Sequence, residues 1–213
     1  MGRTALASDP KTRIVEVAEV MFANYGFDGL TTRELADELG LNIATIHYHY
    51  GSKQELYKAA VSRSFTRQRA TVQRLLERCE EIDKLTPETF AVLLDSFIDD
   101  LLQTTNEHPW AARLFVRWAL THGRGDPLLD VGPGDPVMPL LQDVLDRAKA
   151  EDIIDHVDAT VLTTGLAWAG YGYFASHTKD ATECLEMEDL EALRSQLRKY
   201  LFGSLNLTHL LQT

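Results

Sequence analysis

The sequence predicts an all-α fold of about nine helices, and three observations carry that reading. Apolar residues recur at steps of three and four, as in Ile14, Ala18, Met21, Phe22 and Tyr25 and again in Phe90, Leu93, Leu94, Phe97 and Leu101. No stretch alternates apolar and polar residues in the way of a half-buried strand. Helix-starting and helix-stopping residues fall at the ends of the periodic stretches, where caps belong.

In chain order, Asp9 followed by Pro10 offers an N-cap with proline at the first helical position, and Gly26 supplies the left-handed residue that closes a helix over 10–25. Thr31 with Glu34 and Ser52 with Glu55 have capping-box spacing, and Asn42 stands as a cap before Ile43, so helices are expected over 32–39, 43–50 and 53–79. Thr86-Pro87 opens a helix reaching about Asn106, and Pro109 starts another. Four glycines and three prolines between Gly123 and Pro136 mark a long irregular connection before a helix over 137–150. Helices over about 158–177 and 188–211 close the chain, and no internal repeat is visible.

Composition narrows the class. In 213 residues, 45% are hydrophobic and 25% charged, which fits a folded globular chain and excludes a low-complexity one. Cys79 and Cys184 lie far apart and match no metal spacing, so neither a disulfide scaffold nor a zinc module is expected. The first twenty residues carry Arg3, Asp9, Lys11, Arg13, Glu16 and Glu19 without an apolar core, unlike a secretory signal, and a cytoplasmic location is the expectation. The uncharged run Ala159 to Thr178 has the length of a membrane span, but threonines, glycines, Ser176 and His177 interrupt it, so a packed helix is the better reading. A net charge of −11 argues against diffuse coating of nucleic acid.

The two short helices over 32–39 and 43–50, joined by Gly40-Leu41-Asn42, have the layout of a helix-turn-helix, whose second helix enters the DNA major groove. Leu35 and Leu39 lie one turn apart on the inward side, Ala36 is small enough for a close crossing, and Gly40 can take the positive φ of the turn. At 100° per residue, Ile43, Ile46 and Tyr50 share one face, while Ala44, Thr45, Tyr48 and His49 share the other. The second face is short and polar, suited to base edges and phosphates. His47 lies at the boundary, where it either packs against the first helix or meets a phosphate.

These residues resemble the TetR family of helix-turn-helix transcriptional regulators. The likeness is carried by Gly40-Leu41-Asn42-Ile43-Ala44-Thr45-Ile46-His47-Tyr48-His49-Tyr50-Gly51-Ser52-Lys53 with Gln54-Glu55-Leu56-Tyr57 behind it, and by the Tyr25-Gly26-Phe27 and Leu30-Thr31-Thr32 junctions before it. It covers about 11–57 closely and the remainder by length and helix count. His47 and Tyr50 depart from the tyrosine and phenylalanine usual at their places. The resemblance implies a DNA-binding domain over 1–57, with Thr32, Arg33, Asn42, Ala44, Thr45, His47, Tyr48, His49 and the phosphate-binding lysine Lys53 at the DNA. It also implies a helical effector-binding and dimerisation domain over 58–213.

Charge cuts the other way. Residues 1–57 hold five basic against eight acidic residues, a net −3. Helix N-termini, Arg33, Lys53 and the run Lys58, Arg63, Arg67, Arg69, Arg74 and Arg78 are the available compensation, although the later part of that run should lead away from the groove.

In the second domain the aromatic set is mostly core by its spacing. Phe97, Trp110, Leu114, Phe115, Trp118, Trp168 and Tyr171 are the expected wall of an effector pocket, suited to a largely apolar small molecule. Gly165, Ala169 and Gly172 make a small-residue stripe, and with Leu197 and Leu201 of the last helix they are the expected dimer interface. His108, His122, His156 and His177 have no ligand spacing, and Asp126, Asp130 and Asp135 read as loop solvation, so no metal or other cofactor is expected. No nucleophile elbow, phosphate-binding glycine loop or Cys–His signature is present, so an enzyme is not expected. The sequence thus points to a ligand-responsive regulator, most simply a repressor, that binds palindromic operator DNA as a homodimer. The alternative is a helical small-molecule binding protein with weak or no DNA binding.

Overall fold

Thr31, Asn42, Ser52, Thr86 and Asp158 each stand immediately before a helix and accept hydrogen bonds from its first free N–H groups, so five helices begin where the sequence places a cap. The computed structural model describes residues 9–121, 137–155 and 157–212. Among them are nine α-helices and no strand: α1 Pro10–Gly29, α2 Thr32–Leu39, α3 Ile43–Tyr50, α4 Lys53–Glu80, α5 Pro87–Glu107, α6 Trp110–Thr121, α7 Val137–Ala150, α8 Ala159–His177 and α9 Met187–Ser204. The expected irregular connection between Gly123 and Pro136, with Asp126, Asp130 and Asp135, lies outside the described residues, as do His122 and His156.

Three expectations at helix ends need correction. Asp9 occupies the N-cap position of α1 but its side chain makes no capping bond, leaving Pro10 as the starting signal. Gly26 takes φ +76° and kinks α1, yet one more turn follows to Gly29. The last helix stops at Ser204 instead of running to Leu211. There Asn206 enters the left-handed region at φ +59°, the Leu207 N–H turns back to the Phe202 carbonyl at 2.8 Å, and a short 3-10 turn follows at Thr208–Gln212.

The helices bury two apolar cores. One lies among α1, α2, α3 and the start of α4 and is built on Ile14, Phe22, Leu35, Ile46, Leu56 and Tyr57. Its aromatic centre is the edge-to-face pair Phe22–Tyr57, with ring centroids 4.9 Å apart. The other fills the bundle of α4, α5, α7, α8 and α9 around Phe90, Ile98, Phe174 and Phe202. α4 belongs to both: Val61 closes the first core, Val72 opens the second, and Phe65 packs against each. At 28 residues α4 is about 42 Å long, long enough to carry a displacement from one core to the other.

α6 completes the junction by splitting its faces. Leu114 and Trp118 pack into the first core and Phe115 into the second. Arg117 reaches from α6 to α1, donating to the carbonyl oxygens of Ala23 at 2.8 Å and Asn24 at 2.7 Å. The Ala181 N–H, after α8, donates to the Asn24 side chain at 2.8 Å. α1 is thereby tied to the bundle at its C-terminal end.

Candidate functional site

The α2–turn–α3 unit is fixed by bonds local in sequence. Thr31 and Glu34 close a reciprocal capping box: the Glu34 N–H donates to Thr31 Oγ1 at 3.2 Å, and the Thr31 N–H to Glu34 Oε2 at 2.7 Å. Those bonds hold the Glu34 carboxyl below its ordinary pKa. Gly40 closes α2 at φ +64°, a conformation a side chain would strain, and the Leu41 N–H returns to the Ala36 carbonyl at 2.9 Å. Asn42 Oδ1 then accepts from the Ala44 N–H at 2.9 Å and starts α3.

α3 presents the face expected of it. Ile46 is buried, Ile43 and Tyr50 are half-buried beside it, and the Tyr50 hydroxyl donates to the Lys11 carbonyl at 2.7 Å, which pins α3 to the start of α1. Opposite, Tyr48 is 85% exposed, Ala44 is exposed and Thr45 is half-buried. His49 stands edge-on to Tyr48 and turns toward a shallow groove that it shares with Lys11, Tyr50 and Arg63. On α2, Thr32 and Arg33 lie in the first turn, half-buried and exposed respectively.

His47 does not pack against α1. It is exposed, and its Nδ1 lies 2.9 Å from the Gly51 carbonyl. A carbonyl can only accept, so Nδ1 carries the hydrogen, and Nε2 is the nitrogen available to an outside partner. Lys53, at the first position of α4, holds its ammonium 4.5 Å above the Phe27 ring, which steadies it at the edge of the α3 surface.

The acidic excess of this region is partly neutralised from α4. Glu19 is fully buried and is held by Arg67 at 2.6 and 3.2 Å, by Ser64 at 3.0 Å and by Arg63 at 3.3 Å, while Glu16 pairs with Arg63 at 2.5 Å. Most of the basic run of α4 is therefore structural, since Lys58 pairs with Glu55, and Arg74 and Arg78 both with Asp100, while Arg69 is exposed.

Comparison with known proteins agrees with this geometry. Residues 14–60, from the middle of α1 into α4, match the family described as bacterial regulatory proteins, tetR family. A dual transcriptional regulator of the helix-turn-helix type, CecR of Shigella flexneri, is 41% identical over 56 residues. Residues 14–60 are thus a TetR-family helix-turn-helix segment. That family consists of regulators, not enzymes. IcaR of Staphylococcus epidermidis, a negative transcriptional regulator of a biofilm operon, is 31% identical over 55 residues. Each match covers 26% of this chain, and only 25% of CecR and 30% of IcaR. The TetR-family regulator PfmR from Thermus thermophilus shares the fold over 89% of this chain and 97% of its own, with a TM-score of 0.66 at 18% identity.

In the bundle behind that segment, most of the expected pocket residues converge on Phe115. Its ring centroid lies 4.9 Å from Tyr171, 6.0 Å from Trp168 and 6.3 Å from Trp118. Phe97 shares that core, whereas Leu114 and Trp118 face the first one. Trp110 stands apart, beside His108 at 5.1 Å and under the Arg67 guanidinium at 5.9 Å. Phe65, from α4, bridges Phe115 and Trp118 at 6.2 and 5.4 Å and was not among the expected residues.

The expected interface residues divide. Leu197 and Leu201 are buried in this chain's own core, and a Cβ on Gly165 would fall on the Tyr200 hydroxyl of α9, so these three positions are occupied from within. Ala169 is exposed and Gly172 opens onto free space, next to the exposed Val161 and Trp168 on the same helix. No described helix is long and apolar enough to cross a membrane. No three metal-ligating side chains converge among the described residues.

Proposed function

We propose that this chain is a ligand-responsive transcriptional repressor, cytoplasmic, that binds palindromic operator DNA as a homodimer and is released by a small-molecule effector. The observation that carries the reading is α3: capped at both ends, pinned to α1 through Tyr50, and left with Ala44, Thr45 and the 85%-exposed Tyr48 on its free side. Thr45 and Tyr48 read base edges, His49 flanks them, and Arg33, Lys53, His47 and the first turn of α2 at Thr32 meet phosphates. Asn42 serves mainly as the cap that aims α3. The DNA-binding unit is 1–57, and 58–213 binds effector and partner.

Two copies meet through the exposed side of α8 and α9, where Val161, Trp168, Ala169, Gly172 and Tyr200 leave apolar or small surface uncovered. An isologous pairing there sets the spacing of two recognition helices and makes the operator palindromic. The effector lies against Phe97, Phe115, Trp168 and Tyr171, with Trp110, Leu114 and Trp118 lining the junction. It acts by favouring a helix spacing that does not fit the operator. The negative role named for IcaR supports repression over activation.

The acidic count of 1–57 favours a binding protein that does not hold DNA, but Glu16 and Glu19 face α4 and are neutralised there, away from α3. An electrophoretic shift with DNA from upstream of the protein's own gene tests the proposal. A retarded species that a control duplex does not compete away is expected, and absence of any shift favours the small-molecule binding protein.

A further inference from the structure

Arg117 is an exposed residue of α6, yet its guanidinium is directed at α1: Nε donates to the Ala23 carbonyl at 2.8 Å and Nη2 to the Asn24 carbonyl at 2.7 Å. In an unbroken helix those two oxygens would accept from the Phe27 and Asp28 N–H groups, across Gly26. Gly26 stands at φ +76° and ψ 175°, far from helical values, so the run of bonds is interrupted at the carbonyls that Arg117 takes. Arg117 Nη1 also lies against Gly26, 3.2 Å from where a Cβ would stand. The guanidinium therefore fills the opening of the kink.

Phe27 follows Gly26 directly, so the dihedral angles at the kink decide where its ring goes. That ring packs against Tyr57, with centroids 5.2 Å apart, and carries the Lys53 ammonium 4.5 Å above its face. No carboxylate pairs with Lys53 among the described residues, and Glu34 feels its charge from longer range, so the ring is what locates the ammonium. Burial pushes the Tyr57 phenol up to about 12 and the Arg117 charge opposes it, which sets Arg117 near the same aromatic group. Arg117, the Gly26 kink, Phe27 and Lys53 thus form a continuous path from α6 to the edge of the α3 surface.

We infer that Arg117 is a positioning residue for DNA binding: by occupying the carbonyls freed at Gly26 it holds α1 in the kinked form that sets Phe27 beneath Lys53, and so places the phosphate-binding ammonium. This rests on the reading of Lys53 as a phosphate contact and adds how the bundle holds it. The hold passes through α1, separately from the path along α4.

The test is a double-mutant cycle on the full chain. The parent, Arg117→Met, Lys53→Ala and the double variant are titrated by fluorescence anisotropy against a labelled duplex from upstream of the protein's own gene, over a range of salt concentrations. Arg117→Met removes an exposed charge and leaves the Asn24 side chain tied to the Ala181 N–H, so α1 should stay docked and the melting temperature should stay close to the parent's. It should weaken binding by about threefold to tenfold. It should also reduce the slope of log affinity against log salt by up to about 1, in the sense of Lys53→Ala. In the Lys53→Ala background Arg117→Met should change neither quantity, because the lysine it places is gone. Phe27→Leu keeps apolar bulk at the end of α1 but removes the ring, and should lower the slope as Lys53→Ala does. Losses that add in the double variant would show Arg117 acting on DNA directly or by its charge alone, and overturn the inference. So does parental binding by Arg117→Met or Phe27→Leu where Lys53→Ala is weakened. A parent that does not bind the duplex, or a Lys53→Ala variant that binds as the parent does, removes the DNA reading beneath the inference and the inference with it.

Discussion

Arg67 closes on both carboxylate oxygens of Glu19, at 2.6 and 3.2 Å, with the carboxylate wholly removed from solvent. A charge in that position is tolerable only while its partners stay, since the desolvation it has undergone is repaid by them. The pair therefore fixes α1 on α4 and sets the angle at which the helix-turn-helix leaves the bundle.

Arg67→Met should lower unfolding free energy by about 3 kcal/mol, because Glu19 keeps only Ser64 and Arg63. Glu19→Gln should be milder, since Arg67 and Arg63 retain partial access to water. Urea denaturation of the two variants measures this, and a loss below about 0.5 kcal/mol in Arg67→Met would show the pair to be energetically idle.

pH should act through His108. Burial first, and then Arg67, depress its folded-state pKa below the ordinary 6.5. The unfolded chain therefore takes up the proton first as pH falls through that value, so stability linked to neutral His108 is full above it and declines below it. A melting-temperature profile between about pH 8 and about pH 5 should slope downward on the acid side, and His108→Gln should flatten that slope. Parallel profiles for the two proteins would remove His108 from the account.

Assembly distinguishes two glycines on one helix. Gly172→Trp places its ring in open space in the single chain and so should fold, while blocking a close approach of the partner and giving a monomer by light scattering. Gly165→Trp should fail for a different reason, collision with the chain's own Tyr200, and should lower the melting temperature. A Gly172→Trp variant that remains dimeric would move the interface off this part of α8.

The elements legible in the sequence are those set by neighbours. Thr31 with Glu34, Asn42, Gly40 and the inward Ile46 act within one or two turns, and α2 and α3 begin and end where these residues put them. What could not be read is contact at a distance: Glu19 with Arg67 across 48 positions and Arg117 with the Ala23 carbonyl across 94 have no periodic trace. The same holds for Tyr200 lying over Gly165, which makes a small-residue stripe look free when part of it is already filled. The partners of the basic run of α4 were equally hidden, because the carboxylates that neutralise it belong mostly to other helices.

DNA recognition separates by residue. Tyr48→Ala should change the preferred base at one position of each half-site, by about 1–3 kcal/mol. Lys53→Ala should weaken binding to all sequences and reduce the slope of log affinity against log salt by about 1. Anisotropy titrations over a range of salt concentrations measure both, and variants that fold normally and bind as the parent does would take α3 and Lys53 out of the interface.

The central claim, that the free face of α3 reads DNA, is tested most directly by selecting duplexes from a random library with the purified parent protein and with Tyr48→Ala. The account predicts that the parent enriches a palindrome whose half-sites are about one helical turn or a multiple of it apart, and that Tyr48→Ala loses the preference at one base pair in each half while retaining the rest. A library that emerges from the parent without any enriched motif would contradict it.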